Sequence, residues 1–357
     1  MPPSRATALV LVSLLFVCPA FARSQSDGPQ PDRLHLGAVY VGATVEASFL
    51  LREARNQPDI KLDVIAPKFV KVLNKSTEVR KFGPESNDVV FGSVEIGIDT
   101  TAAGEFRGEL TVTLGQTTVQ VPVSATVKAR RPGLRRILMT ETPFEQWTTT
   151  DGTMFQAWTE LVKDSPFDVN YLLVHRGKPV LRDLDLEKFD CVFLPAGALV
   201  FAMPADVKRA REYAEKGGQV VVAAAPSLRG SVERANAVLA GYGLQMRDEE
   251  AGAVGQNDVT LHKDDLDPRL AKEGVQALHF YRGSPIAVTD VTKARVLVRA
   301  AGVGQAGDGF VVRSQAGKGK VTAIGQSLWW SWISKEQAQG TDNAKLLGWL
   351  LSLPRGT

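Results

Sequence analysis

The run Pro204-Ala205-Asp206-Val207-Lys208-Arg209-Ala210-Arg211-Glu212-Tyr213-Ala214-Glu215-Lys216-Gly217-Gly218-Gln219-Val220-Val221-Val222-Ala223-Ala224-Ala225 decides how the later part of the chain folds. Proline at the first position suits a helix start, Val207, Ala210 and Ala214 share one face, and Gly217-Gly218 supplies a stop, so a helix is expected over 204–216. Val220 to Ala225 is apolar without alternation, the pattern of a strand covered on both faces. The same two periods recur on either side. Arg136 to Met139, Val169 to Val174 and Cys191 to Leu194 are short apolar runs, whereas Thr153 to Val162 and the stretch from about Ser231 to Gly241 have helical spacing. Further strands are expected around Val259, Leu278, Val296 and Val311 and over Lys320 to Ile324. A final helix runs from Asp342 to Leu353, capped by Thr341 or Asp342, with Leu347, Leu350 and Leu351 inward. Continuous apolar strands alternating with amphipathic helices predict a doubly wound α/β domain over 137–357 with a parallel sheet.

Upstream the period changes to two. Val45, Ala47, Phe49 and Leu51 alternate with polar neighbours; Val90 to Ile98, Glu109 to Leu114 and Thr117 to Val127 repeat the pattern. Gly37, Gly42, Pro58, Pro67, Gly83-Pro84, Gly104 and Gly115 punctuate these runs, and no helical spacing intervenes. About seven strands with turns at this interval predict an immunoglobulin-like β-sandwich over 34–127. Between the two domains, residues 128–136 carry five positive charges around a Pro-Gly break. The segment reads as a solvated hinge, although such a run could also touch an acidic surface.

The whole chain has 357 residues, which at ~150 per domain is about two domains. A net charge of +3 is too even for a dedicated nucleic-acid binder. Arg5, the apolar run Ala8 to Val17 and Ala20-Phe21-Ala22 form a signal peptide over 1–22, cleaved after Ala22, since the run is far shorter than the ~20 residues of a membrane span. Residues 23–33 are a polar tether. Export to the periplasm or outside the cell would remove Cys18, leave Cys191 as the lone thiol and exclude an internal disulfide. No membrane span follows, and no cofactor is called for.

Two resemblances narrow these expectations. The opening Leu34-His35-Leu36-Gly37-Ala38-Val39-Tyr40-Val41-Gly42-Ala43-Thr44-Val45 and the hairpin Gly104-Glu105-Phe106-Arg107-Gly108-Glu109-Leu110-Thr111-Val112 resemble bacterial immunoglobulin-like modules related to those of cilium- and centrosome-associated proteins. That resemblance implies a docking or spacing module. Phe189-Asp190-Cys191-Val192-Phe193-Leu194-Pro195-Ala196-Gly197, the step from Tyr213 to Val222, Asn236 to Leu244, and Gly317 to Gly325 resemble the class I glutamine-amidotransferase-like fold, which is flavodoxin-like. The branch concerned includes trehalose-utilisation (ThuA-like) proteins and a domain of gliding-motility and intraflagellar-transport proteins. Such amidotransferases use a cysteine thiolate on a strand-to-helix turn, activated by a histidine that a glutamate orients. Where the thiol is expected the chain reads Ala224-Ala225-Pro226-Ser227-Leu228. Where histidine and glutamate are expected it reads Gly325-Gln326-Ser327-Leu328-Trp329. The triad is absent, and Cys191 sits in an apolar run as a buried structural thiol.

Other constellations are bland. Gly302-Val303-Gly304-Gln305-Ala306-Gly307 matches a dinucleotide fingerprint but leads into Phe310-Val311-Val312, so it reads as a hairpin loop. Ser227 lacks the flanks of a nucleophile elbow and reads as a helix cap. His262-Lys263-Asp264-Asp265-Leu266-Asp267 reads as a solvated turn, and His35, His175 and His279 are scattered, so no metal site is expected. Trp329, Trp330 and Trp332 read as packing under the final helix, though aromatic faces there could stack on sugar rings. Ligands of open α/β sheets sit at the carboxyl ends of the strands, which makes Thr140, Glu141, Gly197, Ser227, Gln326, Ser327 and Trp329 the candidate ligand-binding residues. The reading is an exported, non-catalytic binding or scaffold protein with a glycan or protein partner, the glycan by family resemblance. The alternative is a carbohydrate-processing enzyme using Glu141, Ser227 or the Asp264-Asp265 region.

Overall fold

The structure, a computed structural model, describes residues 33–53, 60–80, 89–141, 166–174, 180–249, 258–326, 333 and 340–355. The leader, almost all of the tether, the helix expected over Thr153 to Val162, His175, Ser327 and the three clustered tryptophans lie outside the described residues.

Seven strands form two sheets from the period-two region: β1 Leu34–Tyr40, β2 Glu46–Glu53, β3 Leu62–Ile65, β4 Val70–Arg80, β5 Val89–Ile98, β6 Gly104–Leu114 and β7 Thr117–Lys128. The sheet order is β1-β7-β6-β3 in one and β2-β5-β4 in the other. Alternation does what it predicts: Val121, Val123, Ala125 and Val127 point into a core shared with Phe49, Leu51, Val94 and Ile96. β1 runs parallel to β7 with a register shift between His35 and Ala38, where Gly37 takes the left-handed conformation at φ 61°.

The rest of the chain supplies β8 Arg135–Glu141, β9 Phe167–Leu173, β10 Cys191–Leu194, α1 Ala196–Phe201, α2 Pro204–Glu215, β11 Gln219–Ala223, α3 Ser231–Leu239, β12 Leu244–Met246, β13 Asp258–His262, α4 Pro268–Lys272, β14 Ala277–Tyr281, β15 Ile286–Val288, β16 Ala294–Arg299, β17 Gly309–Ala316, β18 Gly319–Ile324 and α5 Asn343–Ser352. A nine-stranded sheet runs β12-β15-β17-β18-β11-β10-β8-β9, with β16 also pairing with β17. From β18 to β9 every pairing is parallel; β17, β15 and β12 join antiparallel, so the sheet is mixed rather than wholly parallel. Ile137, Cys191, Phe193, Val221 and Ala223 pack on one face with Leu346, Leu347, Leu350 and Leu351 of α5. Leu138, Val192, Leu194, Val220 and Val222 pack on the other with Ala210 and Ala214 of α2 and Ala235 and Val238 of α3. That double coverage explains why the strands show no alternation. Each fully buried valine contributes roughly 1.5–3 kcal/mol. The protein is β-rich and built on several sheets.

One feature differs from expectation and a second was not foreseen. The 128–136 segment is no free hinge: Arg130 pairs with the buried Asp168, Arg136 Nε lies 3.4 Å from the same carboxylate, and Arg135 donates to the carbonyls of Leu351 (3.2 Å) and Leu353 (2.6 Å) at the end of α5. The edge strand β9 is also covered by the sandwich. Tyr171 N donates to Thr44 O (2.8 Å), Thr44 N to Asn170 Oδ1 (2.9 Å), and Leu173 N to Glu46 Oε2 (2.9 Å). An edge strand left bare would recruit other chains, and the sandwich removes that hazard.

Candidate functional site

The chain order reverses where β8 lies between β9 and β10, and the carboxyl ends of these strands are where a ligand is expected. Thr140, next to last in β8, is fully buried, and its hydroxyl donates to Phe193 O at 2.8 Å, tying β8 to β10. Glu141 ends β8, its backbone opposite Leu173. Gly197 is buried in α1, one turn after β10. Ser227 is half-buried in the turn after β11, but it does not cap the next helix: α3 starts at Ser231 behind Gly230, and Ser231 Oγ donates to Ala225 O at 2.8 Å.

Gln326 is the clearest correction. Only 1% exposed, it accepts from Tyr281 N (3.2 Å) through Oε1 and donates to Tyr281 O (3.1 Å) through Nε2. Its amide acts as a missing strand. Asn343 does the same to His279 N and O, both at 3.0 Å, and Asp342 Oδ2 accepts from Gln276 N at 2.7 Å. Together they close the edge of β14 that β13 leaves open and fasten the β13–β14 hairpin to the domain. Gly325 is fixed by the same junction, because a Cβ there would lie 1.9 Å from Ser284 O. Gln326 is therefore buried with one N–H and its carbonyl oxygen committed to Tyr281, which makes it a clamp on the hairpin rather than a group displayed at the carboxyl edge.

The remaining candidates resolve in the same way. Cys191 is fully buried at the start of β10, and burial pushes its thiol up to about 12, so no thiolate forms at neutral pH. The glycine-rich segment 302–307 is a hairpin loop between β16 and β17, held by Asp308, which takes a two-pronged bond from Arg247 at 2.6 and 3.1 Å. In the acidic turn Asp264 and Asp265 are not buried, yet Asp267 is buried and paired with Arg269 (3.0 Å) and Arg295 (2.7 Å), which hold its carboxyl below the usual range against burial, so that residue is structural rather than solvated. Among the described residues no group of three or more His, Cys, Asp or Glu could hold a metal, and no helix is long and apolar enough to cross a membrane.

Three functional or structural features carry no signal that was read from sequence. Asp206 accepts from Val180 N (2.8 Å), Leu181 N (2.7 Å) and Met203 N (2.9 Å), which its place in the first turn of a proline-led helix could have suggested. A cleft of about 420 Å³ at the β12 edge is lined by Asn236, Gln245, Thr289, Asp290 and Lys293. Arg313 interrupts the apolar run of β17, and a lone charge inside such a run was the available signal.

No family model matches the chain, and no curated protein matches it. One matching solved structure is a family 123 glycoside hydrolase from Clostridium perfringens, studied for glycolipid glycan hydrolysis, with 11% identity over 54% of this chain and 33% of that one and a TM-score of 0.21. The match thus spans about a third of the hydrolase's length, and a likeness at that score carries no inference about fold or function.

Proposed function

We propose that the protein is an exported, non-catalytic scaffold: an immunoglobulin-like sandwich that docks a protein partner, held at a fixed angle to a doubly wound, flavodoxin-like domain related to amidotransferases without their triad. The flavodoxin-like reading draws on the strand order β9-β8-β10-β11-β18, which in chain order is second, first, third, fourth, last. The non-catalytic reading draws on the inert Cys191 and on the engaged Thr140 and Gln326. The observation that carries the docking role is the clustering of exposed apolar side chains on two sheet edges. Ile65 (71% exposed) ends β3, and Leu73 and Val79 stand out from β4. Edge strands carrying exposed apolar side chains, as here among the charged and polar residues of β4, recruit a strand or an apolar surface from a partner.

The purified protein should retain a partner from the envelope of its source cell, and Ile65→Lys with Val79→Lys should release it while leaving the melting temperature within a degree or two. In parallel assays no small glycoside should be turned over. Saturable turnover that persists through repeated purification would overturn the scaffold reading, as would partner retention unaffected by both lysines.

A further inference from the structure

The face of the sheet that packs α5 holds a row of cations with few anions among the described residues. Arg313 stands on β17 directly opposite Arg295 of β16 on one side and Thr322 of β18 on the other, and residues paired in this way share a face. Lys320, one residue pair further along β18, lies opposite Gln315 and binds its side-chain oxygen. Arg269 on α4 and Arg135 on β8 are close enough to repel the Arg313 guanidinium, which burial, followed by that repulsion, lowers to about 10. Lys320 is lowered too, by burial and by Arg313. The carboxylate in the group, Asp267, is already shared by Arg269 and Arg295.

Arg313 Nε is shielded from solvent and has no hydrogen-bond partner among the described residues, and the hydroxyl of the fully buried Thr322 has none either. Buried donors are rarely left unmade, and a guanidinium surrounded by like charges is the most costly kind to leave so. Asp168, by contrast, gathers Arg130 and Arg136, although Arg136 Nε, like Arg52 Nε and Arg209 Nε, is also shielded without a hydrogen-bond partner among the described residues; what sets Arg313 apart is the absence of a paired carboxylate among those residues. The planar fork of an arginine matches two oxygens of one acid group.

We propose that Arg313 and Thr322 form a binding site for a single oxyanion group, a phosphate, sulfate or carboxylate carried by a ligand, with Arg269, Arg295 and Lys320 setting the local potential. The site lies within the sheet face under α5, away from the carboxyl edge, and it does not depend on the scaffold reading.

The test is a thermal-melt and calorimetric titration of the full protein with inorganic phosphate, sulfate or acetate, each at an ionic strength held constant with potassium chloride. The wild-type midpoint should rise and saturate with at least one of the three, the responding anion identifying the acid group. Arg313→Gln should bind that anion at least tenfold more weakly while keeping its midpoint in chloride, because the guanidinium has no paired carboxylate among the described residues. Arg313→Lys, which keeps the charge and loses the fork, should fall between the two, and Arg182→Gln, an exposed arginine elsewhere, should match wild type. If none of the three anions moves the wild-type midpoint beyond chloride, or if Arg313→Gln responds as wild type does, the site does not exist. Should Arg313→Gln fail to fold, the wild-type titration and the Arg313→Lys comparison still decide it.

Discussion

At the carboxyl ends of the strands, Thr140 and Gln326 are buried with their polar atoms bonded inward, to Phe193 O and to both backbone groups of Tyr281. On the α5 face of the same sheet, Arg313 Nε and the Thr322 hydroxyl are buried with no hydrogen-bond partner among the described residues. Residue type would rank these places the other way round, since open α/β sheets bind ligands at the carboxyl edge. On the proposal above, a buried donor with no partner and no paired carboxylate among the described residues, rather than a polar side chain at a favoured place, marks where a ligand is held. The largest effect that can break this comparison is at Gln326. Replacing it by leucine removes both bonds to the N–H and C=O of Tyr281 at a part-buried junction, at about 0.5–1.5 kcal/mol per bond, so Gln326→Leu should lose about 1–3 kcal/mol in urea unfolding. A loss under 1 kcal/mol would mean that the clamp is not what holds the hairpin and that Gln326 is available for other work.

The two halves of the chain were legible to different degrees. In the sandwich, side-chain period and strand identity are one fact, so the runs at Val90 to Ile98 and Thr117 to Val127 coincide with β5 and β7 to within a residue or so. In the α/β region, Pro204 and Gly217-Gly218 bracketed α2, and Cys191 to Leu194 coincides with β10. The three-residue strands β12 and β15 were missed because nothing so short has a period. The site was much less legible. Gln326 was read as a ligand residue because its partner Tyr281 is 45 positions away, and only the fold brings an amide against a strand edge. Asp267 was read as solvated because Arg269 is visible from sequence but Arg295, across a hairpin, is not.

Cys191 sharpens the comparison from the chemical side. Its thiol is ordinarily near 9 and is raised to about 12 by burial in the fold, so the unfolded chain ionises first. The stability that depends on the neutral thiol is complete below pH 9 and is lost as pH rises from about 9 to 12, at about 1.4 kcal/mol per pH unit. Wild type should therefore lose stability more steeply than Cys191→Ala between pH 9 and 11, and a disulfide reagent at pH 8 should label Cys191 only at the rate of unfolding. Parallel pH slopes or rapid labelling of the native protein would show an accessible thiolate and reopen the catalytic reading.

The smallest effect is the most discriminating, because it uses one substitution at two buried hydroxyls of one sheet. Thr140 and Thr322 are both fully buried, but only the hydroxyl of Thr140 has a partner, Phe193 O at 2.8 Å. Replacing a satisfied buried hydroxyl by a methyl forfeits a hydrogen bond worth about 1 kcal/mol, whereas replacing an unsatisfied one removes a desolvation cost and is neutral or favourable. Thr140→Val should thus lower stability by about 1 kcal/mol in chloride, while Thr322→Val should leave it unchanged or raise it by a few tenths. Adding the oxyanion that wild type binds should then separate the two in the opposite sense: Thr140→Val keeps the full stabilisation and Thr322→Val loses part of it. Equal costs for the two in chloride would mean that Thr322 has a partner after all, and the row of unmet donors around Arg313 would shrink to a solvated arginine.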